Sequence, residues 1–225
     1  MDATILIVDD SPLIVDGLAS ILTRKGYTPI PSNGGAECLN ILKTVIPDLI
    51  LLDIMMEPMD GWETLEKIRE NSATKDIPVL MFSAKKLSPE EAWQHSVNID
   101  DFVSKPVNPS QLIESIERIF SRKSELMLFQ LAAKEKGIDP MIIDEYAVLR
   151  KHLEVDRNLL VVLQASKRMN NSEQEIRPDD KDSIRSLEDK INTEERRVQE
   201  IRDLIEKTPA SRPELKVPEV SGSKI

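Results

Sequence analysis

The sequence predicts an α/β domain built on a five-stranded parallel sheet, followed by a pair of long α-helices. Short apolar runs alternate with amphipathic segments over roughly the first 120 residues, which is the pattern of serial β-α units. Between residues 138 and 207, apolar residues recur at helical spacings instead. Only 4% of the 225 residues are aromatic and 31% are charged, a composition that favours helices over β-sandwiches and barrels.

Five short segments are predicted to be strands. They are residues 4–8, 27–31, 48–52, 79–82 and 99–103. Continuous apolar runs such as TILIV and VLMF are expected of strands buried on both faces, whereas the second segment contains proline and is expected at a sheet edge. Right-handed crossovers favour the flavodoxin-like strand order 2-1-3-4-5, with the binding site at the carboxyl ends of the strands near the first and third.

Helix signals separate these strands. Helices are predicted from Ser11-Pro12 to about Gly26, over 35–45, over 61–70, from Ser88, and from Asn108-Pro109 to about Lys136. Two further helices are predicted from Asp139-Pro140 to about Met169 and over 182–207, with a loop at 170–181 between them. We therefore expect an α/β domain over 1–121, an extension of its last helix and a linker over 122–137, a helical hairpin over 138–207 and a disordered tail over 208–225.

The last two predicted helices carry apolar residues at the 3.5-residue period of a coiled-coil seam. These residues are Ile142, Tyr146, Leu149, Leu153, Leu160 and Leu163 in the first helix and Ile184, Leu187, Ile191, Val198, Ile201 and Ile205 in the second. Pairing Leu149 with Ile201 would place Asp156 against Glu194, which is unfavourable unless Arg157 or Arg197 reaches across. A parallel coiled-coil dimer and a solvated spacer remain alternatives to the hairpin.

The formal net charge of -10 is concentrated at the amino-terminal end. The first 120 residues hold 10 basic and 19 acidic side chains, and the rest hold 20 and 21. Neither part is a basic patch, so we expect no nucleic-acid partner. The start MDATILIVDDS lacks the features of a signal peptide or a membrane span, so we expect a cytoplasmic protein without a membrane partner. The single cysteine, Cys38, excludes a disulfide framework.

Polar side chains follow four of the predicted strands. Asp9 and Asp10 follow the first, Asp53 the third, Ser83 the fourth and Lys105 the fifth. Because the carboxyl ends of parallel strands share one edge, we expect these five side chains to meet. Three close carboxylates repel one another unless a cation lies among them, and Mg²⁺ prefers such oxygen ligands. A carboxylate can also act as a nucleophile toward a phosphoryl group, whose oxygens an ammonium and a hydroxyl can bind.

The segments ILIVDDSP, LILLDIMMEPMDGWETL, VLMFSA and DFVSKPVNP resemble the receiver domains of response regulators in two-component signalling, over residues 1 to about 121. The stretch DIMMEPMDGWETL is most similar to regulators of methanogenic archaea. The resemblance implies that Asp53 is the phosphoacceptor. It also implies that Asp10 and Asp53 bind Mg²⁺ directly with the backbone carbonyl of Met55, while Asp9 assists through water.

The resemblance further implies that Lys105 and Ser83 contact the phosphoryl oxygens, and that Phe102 is an aromatic switch residue that moves together with Ser83. The sequence departs from the family pattern four residues after the phosphoacceptor, where Glu57 replaces the usual proline and Pro58 follows. Phe102 also lacks the hydroxyl of the tyrosine that is common at the switch position.

These observations predict a response regulator that accepts a phosphoryl group on Asp53 from a sensor histidine kinase and then switches protein–protein interactions. Its expected partners are that kinase, an unknown downstream protein and a second copy of the chain, bound through the receiver face or the helical extension. It is expected not to be an enzyme, beyond self-phosphorylation from phosphodonors and slow self-dephosphorylation. The alternatives are a phosphorelay intermediate using His152 and a transcription regulator with an unrecognised output domain.

Overall fold

The structure is a computed structural model that describes residues 3–84, 98–169 and 178–209. The helix predicted from Ser88, the loop predicted at 170–177 and the tail from residue 210 lie outside the described residues. No helix in the described part of the chain is both long enough and apolar enough to cross a membrane.

A five-stranded sheet forms the centre of the amino-terminal domain. Its strands are β1 (Thr4–Val8), β2 (Thr28–Ser32), β3 (Leu49–Asp53), β4 (Val79–Ser83) and β5 (Asp101–Ser104). They are all parallel and lie in the order β2-β1-β3-β4-β5, which confirms the predicted flavodoxin-like topology. The proline-containing strand β2 lies at one edge, as predicted, and β5 lies at the other.

Six helices complete the described structure. They are α1 (Pro12–Arg24), α2 (Gly35–Ile41), α3 (Gly61–Glu70), α4 (Pro109–Glu135), α5 (Pro140–Met169) and α6 (Pro178–Lys207). Helix α2 ends four residues before the predicted residue 45. The prediction of a loop over 178–181 is wrong, because α6 begins at Pro178, whose fixed φ and missing N–H suit the first helical position.

Alternate side chains of the strands pack on opposite faces of the sheet. Ile5 and Ile7 of β1 belong to a core shared with α1 and with Leu112 and Ile116 of α4. The opposite face, with Leu6, packs against α2 and α3. This second core continues without a break into a cluster on α4, α5 and α6, so the helical region and the receiver-sized domain share buried apolar surface.

Helices α5 and α6 pack against each other in an antiparallel arrangement. In α6 all six predicted seam residues are buried, which confirms that part of the pattern. Among the α5 side chains that the structure describes, the buried apolar residues are Ile143, Tyr146, Leu153 and Val155, whereas Leu149 is only partly buried. Side-chain contacts join Tyr146 to Arg202 and His152 to Glu194. The predicted Leu149–Ile201 register would place Tyr146 opposite residue 204 and His152 opposite residue 198, so the observed partners in α6 lie two and four residues away.

The cation that neutralises Asp156 and Glu194 in the seam is not one of the two predicted arginines. Asp156 is fully buried, and the Nζ atom of Lys190 lies 2.6 Å from its Oδ2 and 3.9 Å from Glu194. Neither predicted arginine reaches this position, because Arg157 pairs with Glu195 and Arg197 with Glu145 on the flanks of the hairpin. A lysine of α6 thus supplies the positive charge within the seam.

Candidate functional site

The structure brings the predicted polar residues together at the carboxyl edge of the sheet. Carboxylate oxygens of Asp9, Asp10 and Asp53 lie within 4.8 Å of one another. Asp9 and Asp53 are buried, with exposed fractions of 1% and 3%, while Asp10 is exposed. Among the described residues, this is the one group of three or more metal-ligating side chains whose ligand atoms converge.

Lys105 is the cation of this site. Its Nζ lies 2.8 Å from Asp9 Oδ2 and 2.9 Å from Asp53 Oδ2, so one ammonium bridges two buried carboxylates. The same Nζ lies 4.6 Å from the centre of the Phe82 ring, within cation–π range. Its backbone N–H donates to the Ser83 carbonyl at 2.7 Å, which continues the β4–β5 ladder and fixes the base of the side chain.

Asp9 and Asp10 accept hydrogen bonds from backbone N–H groups. Asp9 Oδ1 accepts a hydrogen bond from the Ser11 N–H at 2.8 Å, at the start of α1. Asp10 Oδ2 accepts one from the N–H of Glu57 at 3.1 Å. The departure from the family pattern at position 57 therefore gives the loop a backbone donor that proline, without an N–H, would lack.

Asp53 has one carboxylate oxygen without a donor. Oδ2 contacts Lys105, but Oδ1 is buried and accepts no hydrogen bond from the described residues. Burial raises the pKa of Asp53, and the nearby charge of Asp9 raises it further. The hydrogen bond and charge of Lys105 act in the opposite direction, as does a hydrogen bond from the backbone N–H of Met55 to the carboxylate. A buried carboxylate oxygen in this situation is suited to a metal ion or to a phosphoryl group.

Gly61 is a site residue that the sequence analysis read only as the start of a helix. A Cβ atom at this position would overlap the Asp53 carbonyl oxygen and lie 2.8 Å from the Ile54 Cα. The Gly61 N–H donates to the Ile54 carbonyl at 2.9 Å and closes the loop that follows β3. The Asp60-Gly61 pair, which caps α3 through Asp60, was the available sequence signal.

The other predicted residues lie around this centre. Ser83 is buried at the end of β4, next to Phe82, which pairs with Asp53 across the ladder. Phe102 lies in β5, and its partly buried side chain packs against the core that continues into the helical hairpin. Met55 follows Asp53 by two residues and has a 56% exposed side chain. The role of its backbone carbonyl stays a prediction.

His152 lies far along the chain from this site, in the hairpin seam. Its side chain is 18% exposed, and its Nδ1 lies 3.7 Å from Glu194 Oε1. Burial lowers the pKa of His152, and the charge of Lys190 lowers it further. A histidine that passes phosphoryl groups between proteins needs an accessible nitrogen, so this placement disfavours the phosphorelay alternative.

Comparisons with known proteins agree with this geometry. Residues 5–117 match the family described as "Response regulator receiver domain", and residues 122–209 match "Metanogen output domain 2". The chain is 31% identical over 155 residues to the "Alkaline phosphatase synthesis transcriptional regulatory protein PhoP" of Bacillus subtilis (strain 168), covering 68% of this chain and 63% of that protein. It spans about half the length of the next two curated relatives.

Solved structures give the same result. A receiver domain protein from Methanospirillum hungatei JF-1 is 30% identical, with a TM-score of 0.51 over 56% of this chain and 99% of that chain. The chemotaxis protein CheY4 of Vibrio cholerae is 29% identical, with a TM-score of 0.50 over 53% of this chain and 99% of that chain. The predicted similarity to regulators of methanogens is confirmed. The chain therefore belongs to the response regulator receiver family of two-component signalling proteins, with a methanogen-type output region after the receiver domain.

Proposed function

We propose that the chain is a cytoplasmic response regulator that takes a phosphoryl group from a sensor histidine kinase on Asp53. The observation that supports this most directly is the environment of the Asp53 carboxylate. It is buried beside a bridging ammonium and two further carboxylates, and its Oδ1 accepts no hydrogen bond from the described residues. A group in this position can act as a nucleophile in a site whose charges are already arranged for phosphoryl transfer.

The transfer forms a bond between a carboxylate oxygen of Asp53 and phosphorus. The bond between phosphorus and the donor breaks, and the donor nitrogen of a phosphohistidine keeps the electron pair. Lys105, which now bridges Asp9 and Asp53, is close enough to bind a phosphoryl oxygen with a small movement. Ser83 at the end of β4 binds a second oxygen, and Phe102 follows its movement as the switch residue.

Mg²⁺ is the cofactor that this site fits. The converging oxygens of Asp9, Asp10 and Asp53 are hard anionic ligands, and they outnumber the one ammonium that the described residues place among them. Asp10 and Asp53 would hold the ion directly with the Met55 carbonyl, and Asp9 through water. When bound, the ion neutralises charge on the phosphoryl group and on the carboxylates.

The output is proposed to come from the helical region. The receiver domain comprises residues 1–121, residues 122–137 link it to a hairpin over 138–207, and the hairpin contacts a downstream protein or a second copy of the chain. The match of residues 122–209 to an output domain supports this division. Catalytic turnover is limited to self-phosphorylation from small phosphodonors and slow self-dephosphorylation.

Labelling with radioactive acetyl phosphate tests the proposal. The unaltered chain is expected to take up label in Mg²⁺, and Asp53→Asn is expected to take up none. The matched control is Asp60→Asn, in the same loop, because asparagine caps α3 as well as aspartate does. Asp10→Asn and excess EDTA should each suppress labelling. Stoichiometric labelling of Asp53→Asn would refute the assignment of the phosphoacceptor, and undiminished labelling in EDTA would refute the metal requirement.

A further inference from the structure

Strand β5 carries the active-site lysine at one end and a buried acidic pair at the other. Lys105 follows the strand directly, whereas Asp100 and Asp101 lie at its start. Both aspartates are buried, with exposed fractions of 6% and 2%. They bind side chains from the receiver domain and from helix α5 of the output region, so β5 joins the phosphoacceptor site to the output.

Asp100 is surrounded by cations from three helices. Its Oδ1 lies 2.8 Å from Arg122 of α4, and its Oδ2 lies 3.4 Å from Arg69 of α3 and 3.5 Å from Lys151 of α5. Its Oδ2 also accepts the Val79 N–H at 2.9 Å. Without α5, helices α3 and α4 would still provide both arginines, and β4 would still provide this backbone donor. The contribution of α5 is therefore removable without leaving a buried charge unpaired.

Asp101 connects α5 to the switch residue itself. Its Oδ1 accepts hydrogen bonds from the Phe102 N–H and from Asn158 Nδ2, each at 2.7 Å. Its Oδ2 pairs with Arg118 of α4 at 2.8 Å. The same carboxylate oxygen thus accepts hydrogen bonds from the backbone of the predicted switch residue and from a side chain of the output helix. A movement of β5 at Phe102 alters the geometry of the Asn158 contact.

The contact of Lys151 with Asp100 carries a desolvation penalty, as expected of a contact that forms and breaks reversibly. Burial lowers the pKa of Lys151, which means that its charged form is held at this interface against a desolvation penalty. The side chain is 27% exposed, so water can replace its contact when the helix moves away. In the described structure this docked arrangement coexists with the Lys105 ion pairs to Asp9 and Asp53.

We propose that the contacts of Lys151 and Asn158 with the Asp100–Asp101 pair form a latch that holds the output hairpin on the unphosphorylated receiver domain. This inference rests on the proposed function, since it concerns how phosphorylation of Asp53 is read out. Phosphorylation moves Lys105 away from Asp9, shifts β5 and Phe102, and weakens the latch. Linkage requires the reverse as well: the docked hairpin lowers the affinity of the site for a phosphoryl mimic.

The test uses the full chain and beryllium fluoride with Mg²⁺ as the phosphoryl mimic. Binding is followed by the fluorescence of Trp62 in a Trp93→Phe background, since the chain has two tryptophans. The latch variant is Lys151→Met with Asn158→Ala, and Asn158→Ala alone is a milder second variant. Arg150→Met is the matched control, because Arg150 pairs with Glu125 of α4 on the surface and not with the Asp100–Asp101 pair. Thermal melting followed by circular dichroism verifies that each variant is folded.

The latch variant is expected to bind beryllium fluoride at least about fivefold more tightly than the unaltered chain, with Arg150→Met unchanged. Spin labels at Ser72→Cys and Val148→Cys, in a Cys38→Ala background, report the position of the hairpin. Beryllium fluoride should create a second, longer distance that the latch variant shows without it. If the unaltered chain binds the mimic but the variant binds equally or more weakly, the latch is wrong and the phosphoacceptor stands. If the unaltered chain neither binds the mimic nor accepts label, both proposals are wrong.

Discussion

Lys190 is predicted to be the most stabilising charged side chain of the hairpin. Its Nζ lies 2.6 Å from Oδ2 of Asp156, which has no exposed surface, and Asp156 Oδ1 accepts no hydrogen bond from the described residues. Substitution of Lys190→Met keeps most of the side-chain volume and removes the charge. The carboxylate is then left fully buried without a cation, which destabilises the folded state.

The cost of breaking a buried ion pair sets the magnitude. Removing one partner costs about 3–5 kcal/mol, because the other charge stays buried without compensation. We therefore expect Lys190→Met to lower the free energy of unfolding by about 3–4 kcal/mol at pH 7.

Urea denaturation followed by circular dichroism measures this loss. The double variant Lys190→Met with Asp156→Leu should recover most of the loss, because the fully buried carboxylate is removed together with its cation. The matched control is Lys207→Met, whose partner Asp203 lies on the surface, and it should cost less than about 0.5 kcal/mol. A Lys190→Met chain that is as stable as Lys207→Met, or a double variant whose loss is the sum of the single losses, would refute this reasoning.

Further predictions concern the receiver domain. Gly61→Ala should destabilise the chain by about 1–3 kcal/mol and abolish labelling, because its Cβ would overlap the Asp53 carbonyl. Gly17→Ala lies in α1, where an added Cβ has no neighbouring atom within 4 Å, and it should stabilise the chain by about 0.5–1 kcal/mol in urea. Burial raises the pKa of Asp53 in the folded state, so the stability of the unaltered chain falls as the pH rises through that pKa. In EDTA, the melting temperature of Asp53→Asn should therefore exceed that of the unaltered chain by more at pH 8 than at pH 4. Mg²⁺ at ten times its dissociation constant should stabilise the unaltered chain by about 1.4 kcal/mol and leave Asp10→Asn unchanged in the same melting assay. Burial raises the pKa of Cys38 to about 12, so alkylation at pH 8 should be negligible until urea unfolds the chain.

The sheet and the site were predictable because both follow from local patterns. The apolar run 4–8 and the acidic residues Asp9 and Asp10 after it mark a buried strand and its carboxyl end. Parallel topology then brings these ends together whatever the details of the helices. The same reasoning located Asp53 and Lys105, which the structure places 2.9 Å apart.

The docking of the hairpin could not be predicted in the same way. In the sequence Asp100 and Asp101 are only two acidic residues around the start of a short strand, and their partners Lys151 and Asn158 lie some fifty residues later. Such contacts depend on how two separately patterned units meet. The seam register failed for a related reason, because apolar repeats fit several registers and a single ion pair selects between them.

Helix α4 belongs to both units of the molecule. Its first half packs Leu112 and Ile116 against the sheet, and near its end Ala133 is buried among side chains of the hairpin. Its 27 residues run without interruption between these two contacts. One residue inserted at the middle would turn the second half by about 100° and advance it by about 1.5 Å, which would move Ala133 off the hairpin. A chimera that joins this output region to another receiver domain must therefore preserve the helical phase across the junction as well as the length of the connection.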